Sequence, residues 1–185
     1  MSPQPSVIQR LDRTGVPLLL ARLFVGGMFA YLAIMKLTNP IDFLKLTHQY
    51  GVLPDSMPVL LNLTAIVMPW LELLSALALL LGLTTRGAAL VAVALLLFFT
   101  PMLALHAWGL YTDPARHYSA FCAVKFDCGC GTGEVFICHK LTENIALLLA
   151  ALIPLFSVSR RFCLDALLAR RTEQPLAAAA AGTGK

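Results

Sequence analysis

Charged side chains are scarce in this sequence, and their scarcity excludes an ordinary soluble domain. Only 13% of the 185 residues are charged and 58% are hydrophobic, whereas soluble domains average about 25% charged residues. The mean hydropathy is +0.77. The net charge of +4 is not gathered into a basic surface interleaved with aromatic residues, so nucleic-acid binding is not expected. The composition therefore predicts an integral membrane protein.

Two further features are missing from the sequence. A haem attachment motif, C-x-x-C-H, would need a cysteine at Val135 ahead of Cys138 and His139, and there is none. We also find no internal repeat of broken helices, which many transporters contain. These absences argue against a c-type haem protein and against a transporter built from repeats.

Four long apolar segments are present, each long enough to cross a bilayer as a helix. They cover residues 16–37, 58–83, 87–110 and 141–158. Residues 84–86 are too short a connection for anything but an antiparallel hairpin. We therefore predict an all-α polytopic membrane protein, a four-transmembrane-helix bundle at residues 16–158. Around it we expect a mobile segment at 1–15, a basic amphipathic segment at 159–173 and a disordered tail at 174–185.

Two connections on one side of the bundle carry recognisable features. Asn39 and Pro40 are typical of a helix start, and Phe43, Leu44, Thr47 and Tyr50 then fall near one face. This pattern predicts a short interfacial helix after the first span. The connection at residues 111–140 is a long, cysteine-rich loop, and loops of this length usually carry function.

The distribution of lysine and arginine predicts the orientation. Nine of the 14 fall on the side that holds both termini, and basic residues favour the cytoplasmic side. We therefore expect a multi-pass protein of the bacterial inner membrane, with cytoplasmic termini and a periplasmic cysteine-rich loop.

Glu72 and Arg22 are ionisable residues inside the predicted spans. An isolated carboxylate in a bilayer is costly, so Glu72 must be paired or protonated. One interpretation is a structural Glu72–Arg22 ion pair between the first two spans. The other is a role for these residues in handling a substrate, a proton or a quinone.

Four cysteines fall on the predicted periplasmic side, where disulfides persist, and Cys163 falls on the other side. The four are Cys122, Cys128, Cys130 and Cys138. One alternative is a copper or zinc site formed by Cys128, Cys130, Cys138 and His139, although C-x-C spacing is unusual for zinc. Another is a structural disulfide such as Cys122–Cys138. Four cysteines allow three pairings, and the sequence does not select one.

The C-G-C segment favours thiol–disulfide exchange over these alternatives. Cys128 and Cys130 could be joined only through a strained backbone, and Gly129 supplies the necessary conformational freedom. Strained disulfides are readily exchanged. We therefore predict Cys128 and Cys130 as the catalytic pair, with Cys122 and Cys138 as a relay or a structural pair.

Several segments in order resemble the DoxX/MauE family of bacterial four-helix membrane proteins. They are ARLFVGGMFAYLAIMKL, YGVLP, MPWLELLSALALLLGLTTRGAAL, DCGCG and LTENIALLLAAL, and the resemblance covers residues 22–152. By this resemblance Cys128 and Cys130 match the C-G-C motif of the MauE branch. The sequence departs from the usual motif afterwards, with Gly131, Thr132 and Gly133 in place of a phenylalanine and a glycine.

The resemblance implies a redox-associated role beside a periplasmic thioredoxin-like or redox protein. In the MauE branch that role is maturation of the disulfide-containing methylamine dehydrogenase. If the protein is an enzyme, it would be a thiol–disulfide oxidoreductase, with quinone as a possible cofactor between the helices. The resemblance to DoxX implies an alternative, a non-catalytic assembly subunit of a quinol oxidase-like membrane complex.

Overall fold

The computed structural model describes residues 14–50, 58–129 and 133–157. Most of the N-terminal segment, the basic segment at 159–173, the tail at 174–185, Cys130 and Cys163 lie outside the described residues. The described helices are α1 (Val16–Thr38), α2 (Pro40–Gln49), α3 (Pro58–Leu81), α4 (Thr85–Thr112) and α5 (Ile137–Phe156). Between α4 and α5 lie a 3-10 turn (Phe121–Ala123) and two short strands, β1 (Lys125–Asp127) and β2 (Glu134–Phe136).

Helices α1, α3, α4 and α5 are long and apolar enough to cross a membrane. Each presents large apolar side chains outward, as a lipid-facing surface requires; examples are Leu20, Leu63, Leu97 and Leu149, each more than half exposed. The prediction of an all-α polytopic membrane protein is confirmed. The last span starts at Ile137, four residues before the predicted boundary, so Cys138, His139 and Lys140 lie in its first turn and not in the loop.

The four spanning helices form a ring in which α1 packs mainly on α3 and α4 mainly on α5. Contacts of α1 with α5 and of α3 with α4 close the ring. Gly26 lies where α1 and α3 approach closely, since an added Cβ would lie 2.9 Å from Leu80 Cγ and 3.1 Å from the carbonyl oxygen of Ala76. Small residues at such positions allow membrane helices to pack tightly.

The end of the bundle where α4 ends and α5 begins carries the three described cysteines, Cys122, Cys128 and Cys138, and we call it the cysteine end. Strands β1 and β2 pair antiparallel, with Phe126 opposite Val135. The amide of Ile137 donates to the carbonyl oxygen of Val124 at 3.1 Å, which ties this hairpin to the start of α5. The short helix α2 lies at the same end and buries Phe43 and Thr47, which confirms the predicted interfacial helix.

Candidate functional site

Cys122 and Cys138 form a disulfide at the cysteine end. Cys122 lies in the 3-10 turn and Cys138 in the first turn of α5, with Cα atoms 5.0 Å apart and a sequence separation of 16. The bond closes the segment that contains the β-hairpin into a loop. This closure restricts the freedom of the hairpin and fixes it to the spanning helix.

Cys128 directly follows β1 and is also disulfide-bonded. Its bonding partner is not among the other described cysteines, because Cys122 and Cys138 are bonded to each other. Cys128 is only 5% exposed and packs in an apolar cluster with Val124, Phe126 and Ile137. The first cysteine of the C-G-C segment is therefore buried at the cysteine end.

The backbone after Cys128 turns sharply and rests on α2. Gly129 has a φ of +69°, a conformation that favours glycine. Its amide donates to Asp127 Oδ1 at 3.0 Å. A Cβ at this position would lie 3.3 Å from the ring of Phe43 and 3.5 Å from Leu46. The glycine is needed both for the turn and for the contact with α2.

Tyr50, at the end of α2, links this helix to the hairpin. Its hydroxyl lies 3.5 Å from the carbonyl oxygen of Asp127, a marginal hydrogen bond, and its ring packs edge-on against His106 and Phe126. Burial, with a smaller contribution from the charge of Asp127, raises the pKa of Tyr50 well above its usual value. The phenol is therefore neutral at ordinary pH.

An internal cavity of about 50 Å³ lies between the helices beneath this hairpin. Such a volume accommodates a few water molecules and is smaller than the cavity of about 150 Å³ that binds benzene. Its apolar lining includes Phe29, Leu32, Phe99, Met102 and Leu147. Its polar lining consists of Lys36, Thr47, Tyr50, Glu72, Lys140, Asn144 and Cys128. The buried disulfide cysteine and three ionisable side chains of the bundle interior thus border one cavity.

Lys36 and Glu72 form an ion pair in the bundle interior. Lys36 Nζ lies 2.5 and 2.7 Å from the two carboxylate oxygens of Glu72, and both side chains are at most 7% exposed. The predicted Glu72–Arg22 pair is wrong. Arg22 instead donates to the carbonyl oxygens of Leu79 and Leu80, at 2.7 and 3.3 Å.

The direction of helical side chains explains why Lys36 replaces Arg22. A side chain on an α-helix leans toward the N-terminus of that helix. Helices α1 and α3 are antiparallel, so Lys36 leans from the cysteine end into the bundle and Glu72 leans toward it. Arg22 leans in the same direction as Lys36, but it starts nearer the N-terminus of α1, so its side chain leans away from Glu72 and toward the C-terminal end of α3. The sequence carried this signal, because Lys36 lies within the apolar pattern of the first span.

Helix α5 contributes two more buried polar residues that the sequence reasoning did not identify. Lys140 donates to Glu143 Oε2 at 2.9 Å; its own side chain is 4% exposed and that of Glu143 is 26% exposed. Asn144 donates to the hydroxyl of Thr100 on α4 at 3.2 Å. Lys140 and Asn144 lie four residues apart and therefore share one helical face. This four-residue spacing is the feature of the sequence that could have identified Lys140 and Asn144 as neighbours on a buried face.

The predicted copper or zinc ligands are not brought together among the described residues. Cys138 is bonded to Cys122, and Cys128 is in a disulfide. Neither sulfur is then a thiolate, the form that binds metals. His139 is exposed. Within the ranges described, no group of three or more histidine, cysteine, aspartate or glutamate residues could hold a metal ion.

A second cavity, which we call the lateral groove, lies on the side of the bundle between α1, α2 and α3. Its volume is about 470 Å³, within the usual range of ligand pockets. Its lining is mainly apolar and includes Ile41, Ala65, Pro69 and Trp70, with Asn62 as a polar exception. Lys36 borders both this groove and the internal cavity.

Comparison with known proteins gives one match. The family model described as methylamine utilisation protein MauE matches residues 14–157, which is most of the chain. No curated protein and no solved structure matches the chain. The matched range contains all four spanning helices, the buried ion pair and the cysteine-rich loop.

Proposed function

Because the chain belongs to the MauE family, with its link to methylamine utilisation, we propose that it carries out thiol–disulfide exchange with a periplasmic protein. The bacterial inner membrane is its location in this proposal, with both termini cytoplasmic and the cysteine end periplasmic. Its partner is a thioredoxin-like or redox protein. The exchange serves maturation of a disulfide-containing redox enzyme, and methylamine dehydrogenase is the candidate that the family description supports.

The observation that carries the proposal is the clustering of disulfide chemistry at one end of the bundle. Three of the cysteines expected there are described, and all three are disulfide-bonded. The Cys122–Cys138 bond anchors the hairpin, while Cys128 lies at the turn that leads into the C-G-C segment. The division of roles is then a structural pair at Cys122–Cys138 and an exchanging pair at Cys128–Cys130.

Exchange at this pair follows the usual two-step chemistry. A thiolate of the partner attacks one sulfur of the Cys128–Cys130 bond, a mixed disulfide forms, and the other cysteine leaves as a thiolate. The second thiol of the partner, as a thiolate, then attacks the mixed disulfide. The partner gains a disulfide, Cys128 and Cys130 gain the electron pair, and two protons are released or retained by the reduced thiols.

A quinone, suggested by the sequence as a possible cofactor, fits the lateral groove better than the internal cavity. The internal cavity is too small for a six-membered ring, whereas the groove has the volume of a ligand pocket and an apolar lining. Trp70 and Ala65 belong to the apolar lining that would hold the quinone, and Asn62 and Lys36 are the polar residues of the same lining. A bound quinone would supply an acceptor for the electron pair of the reduced cysteines.

Thiol labelling in intact cells tests the proposed function. A membrane-impermeant alkylating reagent is applied with and without mild prior reduction, and labelled peptides are located by mass spectrometry. We expect the C-G-C cysteines to become labelled only after reduction and Cys163 to remain protected. Labelling of Cys163 without permeabilisation would contradict the orientation.

The matched control is the structural disulfide. Cys122→Ser and Cys138→Ser should lower the stability of the folded protein, whereas Cys128→Ser and Cys130→Ser should abolish maturation of the partner while the protein remains folded. If all four variants affect only stability and maturation proceeds in each, exchange is refuted and a non-catalytic assembly role takes its place.

A further inference from the structure

The burial of Cys128 restricts how its disulfide can be opened. The residue is 5% exposed, and the hairpin that carries it packs onto α2 through Gly129, which contacts Phe43 and Leu46. A thiolate must approach a disulfide sulfur from the side opposite the bond that breaks, so the attacked sulfur needs free space on that side. At Cys128 the apolar cluster around Phe126 occupies the surroundings. A cysteine of a partner protein has almost no surface there to reach.

The internal cavity offers Cys128 a different role, because its lining is charged. Lys36, Glu72 and Lys140 all border the cavity, and each is buried. Glu72 compensates Lys36 within the lining, whereas the carboxylate that pairs with Lys140, Glu143, lies outside the lining and is partly exposed to solvent. A thiolate released toward this cavity would be attracted by the ammonium group of Lys140.

On the basis of the proposed function, we propose that Cys128 is the inward sulfur of the exchanging pair and that Lys140 stabilises its thiolate. The partner's thiolate attacks the sulfur bonded to Cys128, which the proposed function assigns to Cys130. The bond between the two cysteines breaks, and its electron pair stays on Cys128. The mixed disulfide then joins the partner to Cys130, and the negative charge on Cys128 faces the internal cavity.

Lys140, more than Lys36, is the cation available to this thiolate. Lys36 makes two short bonds to a carboxylate that is itself 7% exposed, so its charge is compensated inside the bundle. Lys140 bonds Glu143, whose side chain is 26% exposed, and contact with solvent screens that carboxylate. Lys140 is thus a positioning residue that acts on Cys128 through its charge.

Other titratable groups near Cys128 come from every element packed around it. Tyr50 on α2 is neutral, and His106 on α4 packs against Tyr50 and Phe126. Asp127 on β1 is the nearest acid in sequence and is part-exposed, with Oδ1 accepting the Gly129 amide. Asp127 opposes the thiolate, but it does not border the cavity.

The first test compares the two single-cysteine variants of the pair in purified full-length protein, with the Cys122–Cys138 bond intact. The probe is oxidised glutathione, and mixed disulfides are measured by mass spectrometry over time. We expect Cys128→Ser, which leaves the thiol of Cys130, to form the mixed disulfide at least about tenfold faster than Cys130→Ser, which leaves the buried thiol of Cys128.

The result also separates this inference from the proposed function. If Cys130→Ser reacts as fast as Cys128→Ser or faster, Cys128 is an attacked sulfur and the inference is overturned while exchange itself stands. If neither variant forms a mixed disulfide and mild reduction does not open the wild-type bond, the proposed function fails as well.

The second test measures the dithiol–disulfide equilibrium of the wild-type pair against glutathione buffers. A cation near the Cys128 thiolate stabilises the reduced form, so Lys140→Met should move the equilibrium toward the disulfide, by about threefold to tenfold. Lys140→Arg should keep the wild-type value, because it retains the charge. Lys45→Met, at an exposed lysine of α2 that does not border the cavity, is the matched control.

Thermal unfolding is used to check that each variant is folded. If Lys140→Met does not fold, Lys140→Gln is measured in its place. An equilibrium unchanged by the loss of charge would overturn the role of Lys140. An equal shift in Lys140→Arg and Lys140→Met would show a packing effect and overturn it too.

Discussion

Lys36 of α1 and Glu72 of α3 form a two-point ion pair inside the bundle, with Nζ–O distances of 2.5 and 2.7 Å. The rings of Phe43 and Phe99 flank the ammonium group, each with its centre 5.2 Å from Nζ. The pair joins the first two spans where the internal cavity and the lateral groove approach each other. It therefore connects the two helices, and its lysine borders both cavities.

Removing one partner of this ion pair should lower the free energy of unfolding far more than replacing both partners with apolar residues. Lys36→Met leaves Glu72 as an unpaired buried carboxylate, and we expect a loss of about 3–5 kcal/mol in the free energy of unfolding. The double variant Lys36→Met with Glu72→Leu should recover most of that loss. Chemical unfolding in detergent, followed by circular dichroism, measures both.

The exposed pair on α2 provides the control for this prediction. Lys45 and Asp42 are about two-thirds exposed and 3.6 Å apart, so Lys45→Met should cost under about 1 kcal/mol. Equal losses in Lys36→Met and Lys45→Met would contradict the importance of the buried pair.

Gly26 and Gly27 are neighbours on α1 with opposite environments, and alanine should affect them in opposite directions. At Gly26 the new methyl group would meet Leu80 and the backbone of Ala76, and overpacking of this kind costs about 1–3 kcal/mol. At Gly27 no atom lies within 4 Å of the new methyl group, and alanine favours a helix over glycine by up to about 1 kcal/mol. Thermal stability in detergent should fall for the first and not fall for the second. A loss at Gly27 as large as at Gly26 would refute close packing as the cause.

The sequence predicted the spanning helices well because their signal is local. A run of about 20 apolar residues needs no knowledge of its neighbours to be recognised as a span. Asn39 and Pro40 similarly marked the start of α2 within a few residues. The last span was placed too late, because Cys138, His139 and Lys140 look like loop residues until their buried face is known.

The candidate site was only partly predictable because its contacts are not local. The cost of burying a carboxylate predicts that Glu72 needs a partner. The rise per residue, however, does not encode the direction in which a side chain leans, so it points to Arg22, and the pairing with Lys36 appears only in the structure. The burial of Cys128 depends on how α2 folds back over the hairpin, which no short segment encodes. Lys140 falls at the end of the loop predicted for residues 111–140, so the sequence does not predict its burial in the interior.

Gly129 and Gly133 form a second matched pair, since both have positive φ but only one has a close neighbour. The φ values are +69° and +75°, and only Gly129 lies against Phe43. Alanine at either position should lower the free energy of unfolding by about 1–2 kcal/mol, because its Cβ disfavours the left-handed conformation. Alanine at Gly129 must also shift the Phe43 ring of α2 by a few tenths of an ångström, which loosens the packing beside Cys128. It should therefore speed reduction of the Cys128 disulfide by dithiothreitol, whereas Gly133→Ala should not. Faster reduction in both variants would assign the effect to backbone strain alone.

The buried phenol of Tyr50 should contribute to the stability of the folded protein, and this contribution should decline at high pH. Burial and the charge of Asp127 raise its pKa above the ordinary value of about 10, so folding favours the protonated phenol. That contribution is complete below about pH 10 and is lost as the pH rises from the unfolded pKa through the folded one. Asp127→Asn should lower the folded pKa only partly, because burial is the larger cause. Tyrosinate absorbance of the wild type minus that of Tyr50→Phe measures the titration, and an ordinary pKa for Tyr50 would contradict its burial.

The lateral groove can be tested for quinone with the two tryptophans of the chain. Trp70 borders the groove and Trp108 does not, yet they are similarly exposed, at 52% and 57%. A quinone that merely dissolves in the surrounding detergent should quench both to a similar degree. We therefore expect saturable quenching by a short-chain ubiquinone in Trp108→Phe, where Trp70 remains, and only linear quenching in Trp70→Phe. Ala65→Phe, which fills the groove, should remove the saturable component. Saturable quenching that persists in Ala65→Phe, or that appears equally in Trp70→Phe, where only Trp108 remains, would place the quinone elsewhere.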